Sequence, residues 1–267
     1  MSRYDATLAE TITLTSQDGE PIEAYVARPL TDRPLGGVVV LHHEPGYDEA
    51  SKEYTRRLAV YGFNAICPHL HHRENPWGDP DDAAAEMRRL GGAPDDRVAT
   101  DAAGAAAYLR AMSNANGRVG LIGFCSGARQ AYYIGCTSTW ADAIVNAGGG
   151  VIVDKPDKPP TLPGSPPPGA APMLVEPIAH LTPGLSAPLL GLFGSEDLVP
   201  SPSEVAAQEK VLRDAGKDFD YHLFDGADHD FFDWSSGGYT PQAAVEGWRL
   251  VREFFTHHLA TPAEPAD

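Results

Sequence analysis

A chain of 267 residues with 42% hydrophobic side chains is long enough to bury one large core, and one domain over residues 1–260 is expected. Twenty Lys and Arg against 37 Asp and Glu leave a net charge of −17, which argues against nucleic acid and anionic membranes as partners. Three cysteines make no disulfide framework, residues Met1 to Asp5 open no apolar leader, and no 18-residue apolar run occurs, so a cytoplasmic protein is expected.

In chain order, Leu8 to Leu14 and Ile22 to Arg28 alternate apolar and polar residues around Ser16-Gln17-Asp18-Gly19, the pattern of an antiparallel hairpin. Gly37 to His43 then reads as a buried strand, Ser51 to Tyr61 as a helix, Phe63 to Cys67 as a strand and Pro94 to Met112 as a long alanine-rich helix. A short apolar strand starting at Val119 runs into a tight turn and another helix. Further on, Ala143 to Ala147, Leu189 to Phe193 and Phe219 to Phe224 read as strands, and Ser203 to Ala215 and Pro241 to Leu259 as helices. Strands alternating with helices predict an α/β fold, a doubly wound, mostly parallel sheet with an antiparallel hairpin at its N-terminal end. Residues 155–188 hold eleven of the 24 prolines and are expected to run over the surface, as a flexible loop or as a lid over the site. A disordered tail is expected over 261–267.

The turn after Val119 carries chemistry. Gly123-Phe124-Cys125-Ser126-Gly127 sets a cysteine between two glycines where a strand becomes a helix, a nucleophile elbow with sulfur in place of the more usual serine. With 27 Gly and 3 Cys in the chain, chance supplies this pattern about 0.03 times, so the match is informative. The residues two before and two after such a nucleophile nearly touch, which calls for glycine. The helix N-terminus favours thiolate at Cys125 and leaves the Ser126 N–H free for an oxyanion.

A thiol nucleophile needs a base, and the base needs an orienting group, in the chain order nucleophile, acid, histidine. Asp197 follows the strand Leu189 to Phe193, and His229 follows the strand ending at Phe224, so each falls just past a strand end on the edge that carries Cys125. Glu196, Asp228 and Asp230 are alternative acids.

With these residues the chain resembles the dienelactone hydrolase family, a branch of the α/β-hydrolase superfamily that uses a Cys-Asp-His triad. The likeness rests on the cysteine elbow, supported by Ala24-Tyr25-Val26-Ala27-Arg28-Pro29, Leu41-His42-His43-Glu44, Cys67-Pro68, Gly194-Ser195-Glu196-Asp197 and Asp228-His229-Asp230-Phe231-Phe232. The resemblance implies that Glu44 holds the resting thiol neutral and takes its proton when substrate arrives. It also implies a second oxyanion N–H just after that glutamate, but Pro45 has none, so Gly46 or a shifted loop must serve, or the hole has one backbone donor. Family members that cleave dienelactones clamp the substrate carboxylate with two arginines. Asp233 stands at one of those positions, and Arg88 or Arg89 corresponds to the other. Arg88, with Phe124 and Phe231, is expected to bind substrate.

Two rivals share the fold. His42, His43, His69, His71 and His72, with Glu44 nearby, could form a zinc site for a metal-dependent hydrolase, although adjacent histidines in a strand point to opposite faces. A non-catalytic binding protein on the same fold is the other. The favoured reading is a cofactor-free, metal-free hydrolase of a small carboxylic ester or lactone that works as a monomer or homodimer through a thioacyl-enzyme.

Overall fold

The computed structural model describes residues 6–44, 46–155 and 175–260. Eight strands form one sheet in the order β1-β2-β4-β3-β5-β6-β7-β8 among the described residues. The hairpin β1 (Thr7–Thr15) and β2 (Pro21–Pro29) is antiparallel, and β2 pairs antiparallel with β4 (Asn64–Pro68). All later pairings are parallel, through β3 (Leu35–Leu41), β5 (Ala115–Phe124), β6 (Ala143–Ala147), β7 (Leu189–Gly194) and β8 (Phe219–Phe224).

Alternation along β3 shows why this sheet needs helices on both faces. Val39 and Leu41 join one buried layer with α3 (Asp95–Arg110), α4 (Ser126–Thr137) and α5 (Pro202–Asp214). Val38 and Val40 join the opposite layer with α1 (Glu49–Val60) and α6 (Pro241–Leu259). Strand order reverses around β3, which lies between β4 and β5, and the C-terminal ends there bound the crevice where open α/β sheets hold ligands.

Three details go beyond the sequence expectations. β3 stops at Leu41 rather than His43, because the chain there leaves the ladder: the His42 ring bonds the His43 carbonyl through Nδ1 and accepts the Leu70 N–H at Nε2. A helix absent from the sequence reading, α2 (Pro80–Arg89), starts where the Asp79 carboxylate accepts the Asp81 N–H at 2.9 Å and ends on Arg88 and Arg89, favourable for the helix dipole. Over its described part, 175–188, the proline-rich segment mixes exposed residues with buried anchors. The N–H groups of Ile178 and Ala179 both reach the Ile152 carbonyl, the Thr182 hydroxyl bonds the Tyr132 hydroxyl at 2.7 Å, and Ile178, Leu185 and Ala187 are buried. Residues 156–174 and the tail 261–267 lie outside the described residues. Among the described residues no helix is long and apolar enough to cross a membrane.

Candidate active site

Cys125 sits between β5 and α4 with φ 50° and ψ −116°, a left-handed conformation that costs a non-glycine residue about 1–3 kcal/mol. Its surroundings hold it there. The Cys125 N–H donates to the Ala147 carbonyl at 3.0 Å, and its own carbonyl accepts from Ala128 and Arg129 in the first turn of α4. A Cβ at Gly123 would overlap the Gly127 carbonyl, and one at Gly127 would overlap the Leu41 carbonyl. The two glycines are therefore demanded by backbone crossing backbone, and the second places the elbow against the end of β3. Ser126 opens α4, where an amide N–H has no carbonyl one turn earlier to bond.

Asp197 and His229 meet on the same edge, from the loops after β7 and β8. The His229 Nδ1 lies 2.8 Å from the Asp197 Oδ2, and the other Asp197 oxygen accepts the Val199 N–H. Asp197 is the carboxylate that reaches the His229 ring, while Glu196 is exposed, Asp228 accepts the backbone N–H of His229, and Asp230 accepts the Ser236 hydroxyl. His229 Nε2 is buried with no nitrogen or oxygen partner, and the Cys125 thiol acts on the same ring. Burial disfavours charge on both groups, yet the charges of His229 and then His43 draw the Cys125 thiol below its ordinary pKa. The Cys125 charge and the Asp197 hydrogen bond raise His229 well above an ordinary histidine. The two shifts are coupled, the charge on each group favouring charge on the other.

Glu44, just past β3, is largely buried and pushed by that burial up to about 7, against the pull of Arg88 and His43. Its two oxygens face Arg88 Nη1 at 3.5 Å and His71 Nε2 at 3.7 Å. The His71 contact is not an ion pair, because burial holds that ring down to about 2 and so neutral. Arg88 is the arginine that faces inward, whereas Arg89 is exposed and paired with Glu86. Asp233 accepts the N–H and hydroxyl of Ser235, and its charge acts on His43 and Tyr54, which places it beside the site. Pro45 lies outside the described residues.

Phe124 and Phe231 need correcting as substrate contacts. Phe124 packs against Tyr54, Phe232 and Trp248, Phe231 against Phe224 and Phe232, and both are buried in the core layer that holds α1 and α6. The histidines do gather: His42, His69, His71 and His72 pack ring against ring, with centroids 4.9 to 6.4 Å apart. Both His42 nitrogens are spent on backbone groups, and burial holds His42 down to about 4 and His69 to about 3. Among the described residues no group of three His, Cys, Asp or Glu side chains is placed to hold a metal ion.

His43 separates from that cluster and turns to Asp48, Nε2 to Oδ2 at 2.9 Å, a pairing the sequence reading missed. Its signal was an aspartate just ahead of a helix, the usual N-cap, and Asp48 does cap α1 by accepting the Ser51 N–H.

A family model described as "Dienelactone hydrolase family" matches residues 22–259. The chain is 28% identical over 259 residues to a Salmonella typhimurium protein named "Putative carboxymethylenebutenolidase", covering 95% of this chain and 89% of that one. An Escherichia coli protein of the same name is 29% identical with the same coverage. Among solved structures, the "Putative Dienelactone Hydrolase" of Klebsiella pneumoniae superposes with a TM-score of 0.80 at 27% identity, over 94% of this chain and 99% of that one.

Proposed function

The chain belongs to the dienelactone hydrolase family and is a hydrolase of carboxylic esters or lactones, and from that premise we propose that Cys125 is its nucleophile, His229 its general base and acid, and Asp197 the group that orients His229. The observation that carries this reading is the strained, backbone-enforced Cys125 set against a His229 whose Nδ1 is fixed by Asp197 and whose Nε2 is unspent.

The thiolate of Cys125 attacks the carbonyl carbon, and the carbonyl oxygen takes the negative charge beside the Ser126 N–H. When that oxyanion collapses, the C–O bond to the leaving alcohol breaks and the His229 imidazolium supplies its proton, leaving a thioacyl-enzyme. Water then attacks the thioester as neutral His229 takes its proton, and collapse releases the acid and the thiolate. Glu44, whose near-neutral pKa suits proton exchange, is proposed to restrain the resting thiol, with Arg88 holding the carboxylate. Three free cysteines support a reducing, cytoplasmic setting.

Mass spectrometry of the protein quenched with an activated ester tests the assignment. An acyl group is expected on Cys125, and Cys125→Ala should lose both adduct and turnover. Cys67→Ala and Cys136→Ala, which empty buried positions and no reactive one, should keep turnover and cost about 1 kcal/mol of stability. Full turnover by Cys125→Ala would overturn the reading.

A further inference from the structure

Two fully buried side-chain amides, Asn146 on β6 and Gln208 on α5, lie outside the triad and bond the same residue. Asn146 Oδ1 accepts the Gly149 N–H at 2.7 Å, Gln208 Nε2 donates to the Gly149 carbonyl at 3.1 Å, and Gln208 Oε1 accepts the Tyr221 hydroxyl of β8 at 3.1 Å. A carbonyl can only accept, so the Gln208 nitrogen must face Gly149 and its oxygen is left for Tyr221. The position therefore needs a donor and an acceptor on one side chain, and an apolar residue would strip both groups of these partners. One turn earlier on α5, Glu204 Oε1 accepts the Ile152 N–H at 3.0 Å, so the same helix grips this stretch of chain twice.

What is held is the run Gly148-Gly149-Gly150, which meets the surroundings of all three triad groups. Just before it, the Ala147 carbonyl accepts the Cys125 N–H at 3.0 Å. Gly148, with φ 76°, lies against the His229 ring: a Cβ there would sit 3.9 Å from Cε1 and 4.0 Å from Nδ1. A Cβ at Gly149 would overlap the backbone of Ala128 and Arg129 in the first turn of α4, and one at Gly150 would overlap Val199 and Pro200. The Val199 N–H is the one that Asp197 accepts. Resting on the cysteine reading above, we propose that Gln208 is a positioning residue for the reaction, which with Asn146 and Tyr221 pins Gly149 and so fixes the spacing of Cys125, His229 and Asp197. Gly149 meets α4 backbone on backbone, so a shift of the glycines passes to the elbow helix rather than into a movable side chain. A displacement of about 1 Å at a reacting group can cost about a hundredfold in rate.

Hydrolysis of a neutral activated ester by the full-length protein tests this, with kcat and KM measured separately well below the melting temperature and the acyl group on Cys125 followed by mass. Gln208→Met keeps the length of the side chain and removes both hydrogen bonds, and is expected to lower kcat about tenfold while KM stays within about twofold. Tyr221→Phe removes one of the bonds and should lower kcat about threefold. Leu212→Ala, which empties a fully buried apolar site one turn further along α5, should melt at a lower temperature with kcat unchanged. Wild-type kcat in folded Gln208→Met and Tyr221→Phe would overturn the proposal. So would an equal loss of kcat in Leu212→Ala, which would reduce α5 to a matter of stability. If Gln208→Met fails to fold, Tyr221→Phe beside Leu212→Ala decides. Wild-type protein that turns over with no acyl group on Cys125 would instead overturn the nucleophile reading on which this one rests.

Discussion

At the scale of single residues, Glu44 shows stability and reactivity pulling in opposite directions. Burial raises its pKa from 4.5 to about 7, so the folded protein keeps a proton there that the unfolded chain gives up. Stability contributed by that proton is present at low pH and is lost as pH rises from about 4.5 through 7, by up to about 3 kcal/mol for a shift of this size. An amide at this position has nothing to titrate. Glu44→Gln should therefore match the wild type in thermal melts at pH 5 only after a constant offset, and should gain on it steadily as pH is raised to 8. Turnover should fall in the same variant, because the amide cannot exchange the proton assigned to Glu44. Melting curves for the two proteins that stay parallel from pH 5 to 8 would show that Glu44 is not held protonated.

At the scale of elements, the strand-turn-helix at 115–137 is the part that the sequence specifies most tightly. Gly127 packs its Cα against the backbone of β3, and nothing there can yield, since the obstructing atoms are the Leu41 and His42 carbonyls rather than a movable side chain. Gly127→Ala is expected to cost at least about 2 kcal/mol and to abolish turnover, whereas Ser126→Ala, which leaves the backbone N–H in place, should retain most of it. Denaturant melts beside ester hydrolysis check both. An active, stable Gly127→Ala would mean that the elbow can shift as a unit. This tightness explains why the elbow was legible, and the loops carrying Asp197 and His229 could be placed because each follows a strand with a local pattern of its own, an apolar run in β7 and an alternation in β8. The hairpin and the strands β6 and β8 were legible for the same reason. By contrast, α2 carries little apolar signal, with Ala83, Ala84 and Met87 as its buried residues, and only its Asp79 cap and terminal charges announced it. The contact between Ile178 and Ile152 joins segments separated by a proline-rich run, and no local pattern encodes it. Phe124 and Phe231 were misplaced because an aromatic beside a reactive residue reads alike whether it faces a pocket or the core. The pairing of His43 with Asp48 was hidden by its neighbours, which drew attention to a metal-like cluster.

At the scale of the whole molecule, charge bears on substrate choice twice. The net charge of −17 repels an anionic ester at distance, an effect that fades as added salt shortens the screening length from about 30 Å at 0.01 M to about 8 Å at 0.15 M. Nearer the site, Asp233 is fixed by Ser235 and its charge acts on His43, and Arg88, the inward arginine, has Glu44 3.5 Å from its Nη1. An anionic substrate thus meets a carboxylate and an occupied cation, a penalty of about 1 kcal/mol or roughly fivefold in kcat/KM when partly shielded from water. A neutral ester or lactone is therefore expected to outperform its carboxylate-bearing analogue. Raising salt should remove the long-range share of the gap and leave the local share, and Asp233→Arg should narrow what remains. Competition between the paired substrates at low and high ionic strength separates the two contributions. A wild-type preference for the anion would mean that Arg88 leaves Glu44 to clamp the substrate, releasing the Glu44 carboxylate toward the thiol as the anion binds.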